Sequence, residues 1–368
     1  MALKEERGGN MGAIGLSDIR YEDLLGRDSI KLECGSLDTV FGKTVLVSGG
    51  GGSIGSEICR QVAAMKPRKL VILDISENNS YSVLNELAAE HPFLDVAVVI
   101  GSVRDKVRLE RIFESYRPQA VFHAAAHKHV PLMEDSPGEA VKNNIIGTLN
   151  IAEAAGKYGA ERFVLISTDK AVNPTSVMGA SKRICEMIVG VLAREYATKF
   201  ACVRFGNVLG SSGSVVPLFM SQIDRGGPVT VTDSHVIRYF MTIPEAVSLV
   251  LRVSLYADKG EIFVLDMGNP VRIDELARNL IRLCGYEPDK DIKIEYTGLR
   301  PGEKLFEELL LTGEGLEKTD NDLIYKGKAA EMDREELFGI LQMLREASDS
   351  DGDEIRALLK KAVPEYHY

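Results

Sequence analysis

The chain has 368 residues, enough for two domains or one large domain with an appendage. Its 45% hydrophobic and 27% charged residues are those of an ordinary water-soluble globular protein, and a net charge of −10 argues against a nucleic-acid partner, because phosphate binding needs a concentrated basic surface. No apolar run reaches the ~18 residues of a membrane span, and no signal peptide opens the polar start "MALKEERGGN".

Five scattered cysteines (Cys34, Cys59, Cys185, Cys202 and Cys284) suit reduced thiols better than a disulfide framework. The expected location is the cytoplasm. Residues 1–42 read as an arm with one short helix. From Lys43 to residue 200 short apolar runs alternate with helical patterns. "KTVLVSG", "KLVILD", "DVAVVIGSV", "AVFHAAA" and "RFVLIST" read as strands separated by helices, the longest being "EAVKNNIIGTLNIAEAAGKYG". The strands are continuously apolar, which predicts a Rossmann-type α/β fold, a doubly wound parallel sheet covered on both faces.

Beyond residue 200 the order loosens. "FACVRFGNVLG" reads as a sixth strand, and "GSVVPLFMSQIDRGG" as a helix after a Gly-Ser loop. Two amphipathic helices, "IPEAVSLVLRVSLYA" and "IDELARNLIRLCGY", flank the strand "EIFVLDMG". Residues 201–330 are therefore expected to form mainly a smaller substrate domain, with some segments returning to the sheet. Residues 331–368 read as two closing helices.

"VLVSGGGGSIGSE" follows the first strand and opens the first helix, with Gly49, Gly52 and Gly55 in G-x-x-G-x-x-G spacing. Glycine permits the tight turn and close backbone approach to an anion, and the helix start favours a pyrophosphate. Ser53 and Ile54 belong to this loop. Asp74 ends the next strand nineteen residues after Gly55, followed by Ser76. An acid there accepts from the adenosine ribose and repels a 2′-phosphate, favouring NAD over NADP. Ser102 and Val103 are expected at the adenine edge. Ala124, Ala125 and Ala126 are expected to let the dinucleotide pass close to the sheet, with Asn144 nearby.

Thr168, Asp169 and Lys170 follow the fifth strand directly, where ligands of open α/β sheets lie. Lys182 comes next, with Met178 four residues before it. These residues resemble the extended short-chain dehydrogenase/reductase family, whose pattern is Tyr-x-x-x-Lys. This chain keeps the Lys, which in the family grips the nicotinamide ribose, and has Met178 in the Tyr place. "GGSIGSE", "HAAAHKHVPLME", "STDKAVNPTSVMGASKR", "VRFGNVLGSSGSVVPLF", "IRYFMTI" and "RPGEKLFEELL" resemble, in order, the UDP-N-acetylglucosamine 4,6-dehydratases of bacterial polysaccharide biosynthesis. Asp74 and Met178 both resemble the subgroup that retains configuration at carbon 5. Larger members of that subgroup carry an N-terminal membrane region, so the chain is either a natural soluble form or the soluble part of an anchored parent.

The resemblance implies an internal redox elimination. NAD takes hydride from carbon 4 of the sugar, water leaves across carbons 5 and 6, and the hydride returns to carbon 6. Protonated Asp169 is expected to assist the departing hydroxyl, and neutral Lys170 to take the carbon 5 proton. The base for the carbon 4 hydroxyl is left open between ionised Asp169, Thr168 relaying to water, and a water held by Lys182; Asp169 acting twice is favoured.

A UDP-sugar calls for arginines of bidentate reach, and Arg238 and Arg300 match the family's pyrophosphate positions. Asn207 and the following loop to Val216 are expected near the same phosphates, Glu303 at the uridine ribose, Thr230 in the segment facing uracil, and Lys128 toward the sugar. His123, His127 and His129 lack metal-ligand spacing, and no metal is expected. A nucleotide-sugar 4-epimerase and a non-catalytic dinucleotide-binding regulator are the competing readings. The family's pairing through helices at 139–158 and 179–198 implies a homodimer or higher homo-oligomer.

Overall fold

The computed structural model describes Leu24, Gly35 and residues 37–308, 315–350 and 352–368. The expected arm, residues 1–42, falls mostly outside the described residues; Leu24 is helical and buried in one apolar cluster with Leu209.

The strands are β1 (Thr44–Ser48), β2 (Lys69–Asp74), β3 (Val96–Ile100), β4 (Ala120–His123), β5 (Arg162–Ile166), β6 (Lys199–Arg204), β7 (Asn207–Val208), β8 (Val229–Val231), β9 (Ile237–Met241), β10 (Lys259–Leu265), β11 (Pro270–Arg272), β12 (Ile294–Tyr296), β13 (Glu317–Lys318) and β14 (Ile324–Gly327). Nine form one sheet in the order β13-β14-β10-β6-β5-β4-β1-β2-β3. From β3 to β10 all neighbours are parallel, and β14 and β13 close one edge antiparallel. The order reverses between β1 and β4, the switch point at which such sheets bind ligands.

Helices α1 (Ser53–Ala64), α2 (Glu77–Glu90), α3 (Lys106–Tyr116), α4 (Val130–Asp135), α5 (Pro137–Ala140), α6 (Gly147–Lys157), α7 (Val177–Leu192), α8 (Val215–Asp224), α9 (Ile243–Tyr256), α10 (Ile273–Leu283), α11 (Arg334–Ala347) and α12 (Asp353–Ala362) complete the chain. Successive strand residues serve opposite layers. Val45 and Val47 pack with α1, α2 and α9, whereas Leu46 packs with α3, α6 and α7. That is why the strands lack polar alternation.

A third cluster, built from α8, α10, β8 and β9, forms a smaller unit with its own core. Segments within 201–330 return to the main sheet: helix α9 packs on α1 and on β5 and β6, and β10 joins the sheet itself. The expected sixth strand is broken: after Arg204 the chain leaves the sheet, and β7 pairs with β9 instead.

The long helix expected over 139–159 contains a π-helical turn, Val141–Ile146, between α5 and α6. Such turns re-aim side chains, here Asn144. Helix α7 ends at Leu192, short of the expected 198, and every one of its residues is buried. Helices α11 and α12 pack onto it, and Gly190 admits Ala330, whose carbonyl oxygen lies 2.5 Å from where a Cβ would stand. Of the two helices expected to pair subunits, the first meets α11 at its π-helical turn, and both closing helices add to the burial of α7.

Candidate functional site

The glycine loop joins β1 to α1. Gly49 takes a left-handed φ of +71°. A Cβ there would lie 2.6 Å from the Ala125 nitrogen, and a Cβ on Gly55 only 1.9 Å from the Gly49 oxygen. The loop therefore packs against the segment after β4 as closely as backbone allows. Helix α1 starts at Ser53 with no side-chain cap, so its first N–H groups face outward for an anion. Ile54 is half-buried beside them. Asp74 accepts from the Gly51 nitrogen (2.8 Å) and the Ser76 nitrogen (2.8 Å), which fixes its carboxylate over the loop.

Ala124 and Ala125 are half-buried and Ala126 exposed along this passage. Ser102 Oγ accepts from the Arg104 nitrogen. Two expected cofactor residues serve the framework instead. Val103 is buried in the core against Gly147. Asn144 spends its amide on the His127 backbone (2.8 and 3.0 Å) and on Ser181 Oγ (3.0 Å), holding the loop after β4 to α7. Lys182 is nearly buried at 5% exposure, one turn into α7. Its charge and, more strongly, burial push His123 down to about 3, so His123 is neutral between Ser48 and Thr148.

The chain leaves β5 through Ser167 and enters a single 3₁₀ turn, Asp169–Ala171, capped by Thr168 Oγ1. Asp169 is fully buried. Its Oδ1 accepts from Thr168 Oγ1 (2.9 Å) and Lys170 Nζ (3.0 Å). Its Oδ2 has no hydrogen-bond partner among the described residues and lies 3.2 Å from where a Cβ on Gly206 would stand. Lys170 Nζ also donates to Asn207 Oδ1 (3.5 Å) and faces Glu307 Oε1 at 3.7 Å. Burial pulls this amine's pKa down, but Asp169 and Glu307 outweigh it and the net shift is upward. That upward direction runs against the neutral Lys170 expected for the base, which must lose a proton before it can act.

Behind the turn, Ser167 Oγ donates to Glu186 Oε1 (2.7 Å), and Arg204 grips both oxygens of Glu186 at 2.7 Å. Burial raises the Glu186 carboxyl, but Arg204, Arg183 and Ser167 together hold it at about 2. This buried cluster ties β5, β6 and α7 beneath the Asp169–Ala171 turn. Met178, four residues before Lys182, is buried in the core around α7, so its thioether is packing.

On the substrate side the loop from Arg300 to Glu308 lies over the turn. Arg238 is 6% exposed and donates to the carbonyls of Ile237, Leu305 and Lys304. It also lies 3.6 Å from both Glu303 and Glu307. Arg300 is exposed and meets Glu303 at 3.4 Å. Thr232 Oγ1 donates to Glu303. Lys304 Nζ donates to the Val172 carbonyl and Thr175 Oγ1 to that of Gly302, latching this loop to the acid–base segment.

Lys128 Nζ reaches Ser211 Oγ (3.3 Å), and burial lowers its pKa. Ser53 Oγ accepts from the Ser212 nitrogen (3.0 Å), so the Gly-Ser loop sits on the glycine loop. Two expected substrate residues are placed otherwise. Val216 is wholly buried in the third core. Thr230 exchanges two hydrogen bonds with Gln222, so its backbone N–H is occupied.

Sequence reasoning missed Glu307 and Glu186. Glu186 had a signal: a lone acid in the otherwise apolar run "ICEMIVGVL". Glu307 lies within the quoted "RPGEKLFEELL", but its neighbours in space, Lys170 and Arg238, come from two distant stretches. Among the described residues no cluster of metal-ligating side chains occurs, and no helix is long and apolar enough to cross a membrane.

Comparison with known proteins gives consistent relatives. A probable polysaccharide biosynthesis protein, EpsC of Bacillus subtilis, is 49% identical over 350 residues, 95% of this chain and 58% of the relative. The chain thus spans little more than half the length of that relative. A UDP-N-acetylglucosamine 4,6-dehydratase (inverting) of Campylobacter jejuni is 34% identical over 270 residues, 72% of this chain and 76% of the relative. A UDP-glucose 4-epimerase of Rickettsia canadensis is also 34% identical, over 277 residues, 73% of this chain and 77% of the relative. The X-ray structure of Pen from Bacillus thuringiensis superposes with a TM-score of 0.73 at 34% identity, covering 80% of this chain and 89% of Pen. The profile of one family, described as polysaccharide biosynthesis protein, matches residues 45–329. With most of its length matched, the chain belongs to the polysaccharide biosynthesis protein family.

Proposed function

We propose that this chain dehydrates UDP-N-acetylglucosamine across carbons 4 to 6, with NAD as a tightly held cofactor and with retention at carbon 5. The product would be UDP-2-acetamido-2,6-dideoxy-α-D-xylo-hexos-4-ulose, for bacterial glycan biosynthesis. One observation carries the reading: Asp169 accepts the Lys170 amine on Oδ1, while its Oδ2 is buried and has no hydrogen-bond partner among the described residues. Elimination needs an acid–base pair on one sugar, and adjacent residues at the end of β5 supply it.

The residues present fit NAD. The glycine loop is as close-packed as backbone permits, the start of α1 is uncapped, and the Asp74 carboxylate stands at the end of β2. NAD bound there supplies a temporary store for the hydride removed from carbon 4. Lys182 holds the ribose beside it. Asp169 Oδ2 accepts the carbon 4 hydroxyl proton and later gives a proton to the departing carbon 6 hydroxyl. Lys170 takes the carbon 5 proton and returns it to the same face. Arg238 and Arg300 attract the diphosphate, which requires Arg238 to loosen from Glu303 and Glu307.

Incubation with UDP-N-acetylglucosamine tests this. A product lighter by the mass of one water, about 18 Da, supports dehydration, and proton NMR of that product reads carbon 5. The second reading, 4-epimerisation, is favoured by the equally similar epimerase; it predicts an isomer of unchanged mass.

A further inference from the structure

We propose that Glu307 receives the proton that Lys170 must lose before it can act as a base, and that Arg238 links this transfer to diphosphate binding. This rests on the dehydratase reading and deepens it. The Glu307 side chain is only 5% exposed, with Oε1 3.7 Å from Lys170 Nζ and 3.6 Å from Arg238. Neither separation is a formed hydrogen bond, so the carboxylate stands between two cations without being locked to either.

Among the protein groups around Lys170, Glu307 is left as the acceptor. Lys170 faces three groups: Asp169, Asn207 and Glu307. Asp169 is committed to the sugar hydroxyls, and the Asn207 amide is not a base. In the transfer an Nζ–H bond of Lys170 breaks, its electron pair stays on nitrogen, and an O–H bond forms at Glu307. An ion pair becomes a neutral pair, so no net charge is created in the buried site. The free amine then takes the carbon 5 proton and later returns it to carbon 5. Before product leaves, Glu307 hands its own proton back.

Arg238 stands 3.6 Å from both Glu307 and Glu303, so the two acids compete for one guanidinium. A diphosphate that draws Arg238 away leaves Glu307 facing Lys170 without that competing cation. Lys170 thus becomes a base only when a nucleotide-sugar is in place. Glu307 acts through Lys170 and is a positioning residue.

Glu307→Gln keeps the shape and cannot take a proton; Glu307→Asp can. In single turnovers with UDP-N-acetylglucosamine in deuterated water, the Gln variant should still show the 340 nm rise of carbon 4 oxidation. Its deuterium incorporation at carbon 5 and its kcat should fall roughly a hundredfold. KM should change less than about threefold, and Asp should restore part of the rate. Unchanged kcat and pH profile, or equal loss of the 340 nm signal and turnover, would overturn the proposal.

A ligand-free arm needs no substrate. In protein carrying ¹³C-lysine, with Lys170 assigned through Lys170→Arg, the Lys170 amine should titrate at lower pH in Glu307→Gln than in the wild-type chain. An unchanged titration overturns the role of Glu307 even if the chain turns out to act on another sugar. A wild-type chain that forms no dehydrated product sinks the dehydratase reading alone.

Discussion

Asp169 holds its two oxygens in different circumstances, one satisfied by Thr168 and Lys170 and the other buried without a donor. A buried acceptor left unpaired costs folding stability unless a ligand completes it. Asp169→Asn keeps the volume but cannot receive a proton. Turnover should fall by about three orders of magnitude, while NAD affinity in a fluorescence titration stays within about twofold. Near-normal turnover would remove Asp169 from the chemistry. Gly55→Ala probes the cofactor loop: the added Cβ meets a backbone oxygen, which cannot swing aside as a side chain can. NAD affinity should drop at least about tenfold and the melting temperature should fall. At this scale the adjacency of Asp169 and Lys170 beyond a strand's carboxyl end was legible, because both follow one strand in sequence. The approach of Glu307 to Lys170 was not, because it comes from a distant loop. Val103, Val216 and Met178 lie in motifs yet are walls of the core; an apolar residue's sequence neighbours do not reveal which way it faces.

Elements are joined beneath the site by buried polar groups, and these predict a pH response. His123 on β4 touches Ser48 on β1 and Thr148 on α6. Its pKa is about 3 in the fold against an ordinary 6.5. Between those values only the unfolded chain takes up the proton. Stability is therefore full above pH 6.5 and declines as pH falls, by about 2 kcal/mol from this group at pH 5. Glu186 acts lower on the scale. Its pKa of about 2 lies below the ordinary 4.5, so its contribution is present above pH 4.5 and is lost as pH falls toward 2. The urea midpoint should drop between pH 7 and pH 5. His123→Gln should make that drop smaller while lowering the midpoint at pH 7. His127 and His129 shift the same way, so the difference between variant and wild type, not the slope alone, is the measurement. The alternation of strands and helices was legible because burial on both faces leaves continuous apolar runs. The break at Phe205–Gly206 and the seat of α9 were not, since both depend on which surface the chain meets next.

For the whole molecule, α7 is decisive. It carries Met178, Lys182 and Glu186, and it is buried along its full length. A helix buried on every side needs cover on every side, from its own chain or from a partner. Here the cover is internal: Leu337, Leu341 and Leu344 of α11 and Ile355 and Leu359 of α12 share one core with α7. Leu344→Glu places a charge in that core without touching the acid–base turn. It should destabilise the chain by about 3 kcal/mol or more, read from urea unfolding, because a buried unpaired charge has no compensating group. With the cover loosened, the apolar face of α7 should attract a second copy, and light scattering should show molar mass rising with protein concentration. The opposite result is equally informative. If subunits of the wild-type chain already associate through α7, the same substitution should lower the molar mass, and the internal cover would be the wrong account of this helix.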